Sequence, residues 1–112
     1  MNTIKSSADI TYLFENGRRI GTPDFSFIIA RTAEQHDQNG RVAFIAGKKL
    51  GNAVWRNRAK RRMREVCKII GGPFPGYDVV FLAKRKVNES SFSEMVIHAE
   101  KALKKNSIIE LE

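Results

Sequence analysis

Five apolar residues, Trp55, Ala59, Met63, Val66 and Ile70, recur at steps of three and four. At about 100° per residue this spacing lays them along one narrow stripe of a helix. Asn52 offers a cap at its start, and Gly71, Gly72 and Pro73 stop it, the glycines through backbone freedom and the proline through its missing N–H. Asn57, Lys60, Arg61, Arg64 and Lys68 fall on the opposite side. Arg56, Arg58 and Arg62 flank the stripe, where their stems cover its margins. A helix divided in this way needs an apolar sheet to lie on, and the rest of the chain must supply it.

The flanking segments have that character. Ser6 and Asp9 open a short helix in which Ile10, Leu13 and Phe14 recur at helical spacing, and Gly17 offers a left-handed stop. Phe25, Phe27 and Ile29 then alternate with Ser26, Ile28 and Ala30, and after the polar run TAEQHDQNG, Val42, Phe44 and Ala46 alternate with Ala43 and Ile45. Tyr77 to Ala83 carries apolar residues on both faces, the mark of a central strand. Ser91 and Glu94 form a capping box ahead of a last helix striped by Phe92, Val96, Ala99 and Leu103. The expected order is α-β-β-α-β-α, an α/β sandwich of a small sheet and three helices. With 112 residues it forms one domain, 1–112.

The charge is concentrated on the long helix. From Lys48 to Lys68 there are nine Lys and Arg against one acid, Glu65, which accounts for the whole net charge of +8; elsewhere 11 basic and 11 acidic residues cancel. Like charges so crowded repel one another unless a polyanion neutralises them. An anionic membrane would need an exposed apolar face, yet the stripe is required for the core, so nucleic acid is the expected partner. Arginine dominates, and its planar fork suits phosphate oxygens. No apolar run approaches the length of a membrane span, the N-terminus has no secretory pattern, and the single Cys67 forms no internal disulfide. A cytoplasmic protein with no membrane partner is expected.

Other groups point to no protein-borne chemistry. His36 and His98 lie far apart without an acid pattern or metal-ligand spacing, and Asp78 and Glu65 read as surface carboxylates. Cys67, at the edge of the stripe, reads as a small hydrophobe. Phe25, Phe27, Phe44 and Trp55 read as core, while Phe14 is open to packing or to stacking on a base.

The run KKLGNAVWRNRAKRRMRE, Lys48 to Glu65, resembles the signature of the protein subunit of bacterial ribonuclease P. The likeness extends to the first helix, the YDVVFLA strand and the last helix. It implies a ribonuclease P protein-like fold with a left-handed β-α-β crossover, against the usual hand of such connections. It also implies a catalytic RNA subunit as partner, which uses Mg²⁺ to remove the 5′ leader of precursor tRNA. No cofactor is expected on the protein, and no obligate protein partner. By the same resemblance, Arg56, Asn57 and Arg58 fall on the family's Arg-Asn-Arg motif, and Lys60, Arg61 and Arg64 on its following basic positions. Lys48, Lys49, Arg62 and Lys68 complete the candidate RNA-binding set. The family's leader cleft, between the sheet and this helix, would take Phe14, with Ile10 and Ile28 at positions where the family often has aromatics. A structural RNA-binding protein of ribosomal type is the alternative. It would share the charge but not this signature.

Overall fold

The striped helix lies across one face of a four-stranded sheet, and the sheet's other face is only half covered. This arrangement is seen in a computed structural model that describes residues 1–109. The elements are α1 (Ser7–Asn16), β1 (Arg18–Gly21), β2 (Phe25–Arg31), β3 (Arg41–Ile45), α2 (Ala53–Ile69), β4 (Tyr77–Ala83) and α3 (Phe92–Lys105), with one-turn 3-10 helices at Lys48–Leu50 and Arg85–Asn88. The sheet order is β1-β2-β4-β3. β2 is antiparallel to both β1 and β4, whereas β3 runs parallel to β4, with α2 as the connection between them. The fold is thus an α+β sandwich on a mixed sheet, and β4 is central as its two apolar faces required.

One expected feature is corrected by the presence of β1. Arg18–Gly21 has a single inward residue, Ile20, so no alternation could announce it. It is fixed instead by a tight turn in which Thr22 Oγ1 donates to the Phe25 carbonyl at 2.7 Å and Thr22 N–H donates to the same oxygen at 2.9 Å. A second correction concerns Gly17, whose φ of −73° is not left-handed. Glycine is needed there because a Cβ would stand 2.5 Å from the Leu13 carbonyl oxygen and 2.7 Å from Ile28 Cγ2. The left-handed stop occurs at Gly71, with φ +92°. There the N–H of Gly72 donates to the Cys67 carbonyl and that of Gly71 to the Lys68 carbonyl, closing α2 in a Schellman motif.

Strand alternation sorts the core into two layers. Phe25, Phe27, Ile29, Val42, Val79 and Phe81 meet Ala59, Met63 and Val66 of α2 and Met95, Ala99 and Leu103 of α3. On the opposite face Ile28, Ala43 and Val80 meet Leu13 of α1, and Ile4 closes the edge beside β3, its N–H donating to the Val42 carbonyl while the Val42 N–H donates to the Asn2 carbonyl. The caps are those the sequence indicates: Asn52 Oδ1 accepts from Trp55 N–H at 2.9 Å, and Ser91 Oγ accepts from Glu94 N–H while donating to its carboxylate.

Candidate nucleic-acid interface

Burying the stripe of α2 fixes where its cations point. Ala59, Met63, Val66 and Ile70 are buried and Trp55 half-buried, with Cys67 joining them against the sheet. Asn57, Arg58, Arg61, Arg64 and Lys68 are exposed, as are Lys48 and Lys49 on the preceding 3-10 turn; Arg56 and Lys60 are half-buried. The one carboxylate of the helix, Glu65, accepts from Lys68 at 3.3 Å. Arg64 rests its guanidinium 5.2 Å from the centre of the Phe44 ring, so this cation is held at the β3 edge rather than swinging free. Arg61 has no internal partner among the described residues.

Arg62 behaves differently from the other candidates. It is half-buried, and its Nη2 donates to the Ser90 carbonyl at 2.5 Å. Burial, followed by repulsion from Arg58, lowers its pKa from the ordinary value. It tethers α2 to the segment before α3. A wheel cannot reveal this, because the partner lies 28 residues away.

The thiol of Cys67, fully buried, has its pKa pushed up to about 12 by burial, so it packs as a small hydrophobe.

The other candidate residues lie on the opposite face of the sheet, Ile10 and Phe14 on α1 and Ile28 beneath it. This corrects the expected cleft between the sheet and α2: the wall is α1 instead. Leu13 points into the sheet, with Ile10 and Phe14 on one flank of the helix and Asp9 and Tyr12 on the other. Ile28 is 0% exposed beneath them, in one cluster with Leu13, Ala43 and Val80. Its side chain therefore offers no surface to a leader, contrary to the cleft position expected for it. Phe14 is 36% exposed, and Arg19 sets its guanidinium 5.7 Å from the ring centre. Beyond α1 the face stays open along the row Gly21, Ser26, Leu82 and Ile45, which are paired in register across all four strands. Ser26, Leu82 and Ile45 are half-buried there, and Ile10 is half-buried on the helix beside them.

At the closed end, Asp78 is buried rather than on the surface as expected. It accepts from Arg41 Nε at 3.2 Å, Arg41 Nη2 at 2.6 Å and Thr32 Oγ1 at 3.1 Å. Arg41 Nη1 reaches Asp9 of α1 at 3.1 Å. These hydrogen bonds, led by that to Asp78, hold the Arg41 pKa above its ordinary value against the opposing effect of burial. Among the described residues no three His, Cys, Asp or Glu side chains are grouped to hold a metal ion. No described helix is long and apolar enough to cross a membrane.

The family model described as Ribonuclease P matches residues 1–107. The chain belongs to the ribonuclease P protein family. A ribonuclease P protein component from Caldanaerobacter subterraneus subsp. tengcongensis is 30% identical over 111 residues, covering 98% of this chain and 93% of the relative. The one from Streptococcus mutans is 34% identical over 92 residues, 82% of this chain and 75% of the relative. The fold agrees with the solved Staphylococcus aureus RNase P protein at a TM-score of 0.80 and 24% identity, covering 98% and 99% of the two chains. It also agrees with the Thermotoga maritima protein at 0.75 and 21%, covering 99% and 100%. As a ribonuclease P protein, the chain is a subunit of an endoribonuclease that processes tRNA.

Proposed function

We propose that this subunit binds the catalytic RNA of ribonuclease P through the outer face of α2, and the 5′ leader of precursor tRNA along the open row of the sheet. The RNA performs the hydrolysis with Mg²⁺, in the cytoplasm. The observation that carries the reading is the segregation of charge: α2 turns its apolar stripe into the core and aims Arg58, Arg61 and Arg64 outward, with one carboxylate on the whole helix. Neutralising phosphates there releases counterions and relieves the repulsion within the helix. The protein supplies no nucleophile activator in this reading. Its contribution is affinity and charge compensation.

Two outcomes follow. The purified protein, freed of RNA, should cleave nothing, whereas adding the cognate RNA subunit should give precursor-tRNA cleavage at low Mg²⁺. Hydrolysis that persists through RNase treatment and RNase-inhibitor controls would overturn the reading. Binding of the RNA without any gain in cleavage would favour the structural, ribosomal-type alternative.

Phe14→Ala tests the open row. If a leader base stacks on the ring, discrimination between precursor and mature tRNA should fall by about 1–3 kcal/mol. Partial exposure should keep the stability loss well below the roughly 3–5 kcal/mol of a fully buried Phe. Equal weakening for both tRNAs, with a full core-sized stability loss, would make Phe14 a packing residue alone.

A further inference from the structure

Outside the basic stretch the charges cancel in number but not in space. Several acids are occupied: Asp9 and Asp78 by Arg41, Asp24 by Ser90 and His98, and Glu100 by Lys104 at 3.5 Å. Toward the edge of the sheet opposite β3, where β1 has no further strand beside it, two hollows lie at the two ends of β1: one against the C-terminal half of α3, the other between Arg18, the end of β2, the start of β4 and the residues that follow α3. The lower one, about 330 Å³, is lined by Arg18, Arg31, Tyr77 and Asn106 among others. The upper one, about 230 Å³, is lined by His98, Lys101 and Lys105 among others. Among the described residues neither has a carboxylate in its lining; Asp24, beside the upper one, is 0% exposed and held by His98.

The cations in this groove are partly preorganised. Arg31 lies 5.5 Å from the centre of the Tyr77 ring, and Arg18 donates to the Asn106 carbonyl at 3.4 Å. Neither meets a carboxylate among the described residues. Lys101 and Lys105 stand one turn apart on α3, about 6 Å along its axis, both exposed.

We infer that this groove binds an RNA sugar–phosphate backbone, as a second contact on the edge of the molecule away from the arginines of α2. The chemistry favours RNA because guanidinium forks engage phosphate oxygens in pairs, and because a guanidinium held on an aromatic ring offers a flat surface to a base. The inference rests on the RNA partnership proposed above but on different residues. Either the RNA subunit or precursor tRNA supplies the same phosphodiester chemistry.

The test uses the full chain and the variant Arg31→Gln/Lys101→Gln/Lys105→Gln, three exposed positions whose side chains make no hydrogen bond or ion pair among the described residues. Its affinity for the transcribed RNA subunit, and that of the assembled holoenzyme for precursor tRNA, are measured across a salt series beside Arg61→Ala/Arg64→Ala. The groove variant should bind one of the two RNAs about tenfold or more weakly. Its log–log salt slope should be lower by about 0.7–0.9 for each phosphate the protein no longer neutralises. An iron chelate attached through Lys105→Cys then identifies the RNA, because the buried Cys67, with its thiol pushed up to about 12, leaves the introduced thiol as the reactive one. Cuts confined to the RNA subunit or to the tRNA name the source. Unchanged affinity and slope for both RNAs, or no cuts in either, would overturn the groove. If Arg61→Ala/Arg64→Ala is also unchanged, the proposed RNA contact of α2 falls with it.

Discussion

Asp78→Ala is expected to lower folding stability by about 3–5 kcal/mol, the cost of removing one partner from a buried ion pair. Against a total of roughly 6–17 kcal/mol for a domain of this length, that is a large share. The loss arises because the Arg41 side chain is only 11% exposed and donates two of its hydrogen bonds to Asp78, leaving Asp9, itself 30% exposed, as its remaining strong acid partner. Chemical denaturation of wild type and variant at matched slope measures the difference. Arg41 keeps its charge throughout, since a pKa raised above the unfolded value gives stability that is fully present below that value and lost only as pH rises through the folded one. The deficit should therefore be the same at pH 6 and pH 9. Replacing both partners, Arg41→Met with Asp78→Leu, should recover at least half of it by removing the uncompensated charge. A double variant as unstable as the single one would show that the loss is not electrostatic.

The same network shows where sequence reading stops. Asp78 lies 37 residues from Arg41 and Arg41 lies 32 from Asp9, so no local pattern joins them, and a carboxylate near the start of a strand reads as a surface group. Similarly, the turn of Arg62 toward Ser90 depends on how the 84–91 segment returns over α2. What could be read were features with a period or a cap: the stripe of α2, the Ser6, Asn52 and Ser91 starts, and the two-faced β4. Alternation also separated Ile28 from Phe27 and Ile29. It could not show that α1 would take the Ile28 face, and so bury the residue that the resemblance had placed in a cleft. β1 escaped because one inward residue has no period.

The exposed face of α2 should be decisive for RNA affinity and nearly irrelevant to folding. Arg61→Ala/Arg64→Ala removes two outward guanidiniums, of which Arg64 makes only the cation–π contact with Phe44, so stability should change by no more than about 1 kcal/mol. Charge-assisted hydrogen bonds contribute about 1.5–3 kcal/mol each, so affinity for the RNA subunit should fall roughly 100-fold or more. With two phosphates left unneutralised, the log–log salt slope should also drop by about 1.4–1.8. The slope separates this role from a general loosening of the protein, which would weaken binding without removing counterion release. Met63→Asp gives the opposite result: a carboxylate forced into a site with 0% exposure should unfold the domain, abolishing binding through loss of structure that circular dichroism detects. If the arginine double variant stays folded and keeps both wild-type affinity and wild-type salt slope, the outer face of α2 is not the RNA contact. The sheet face beside Phe14 then becomes the place to look.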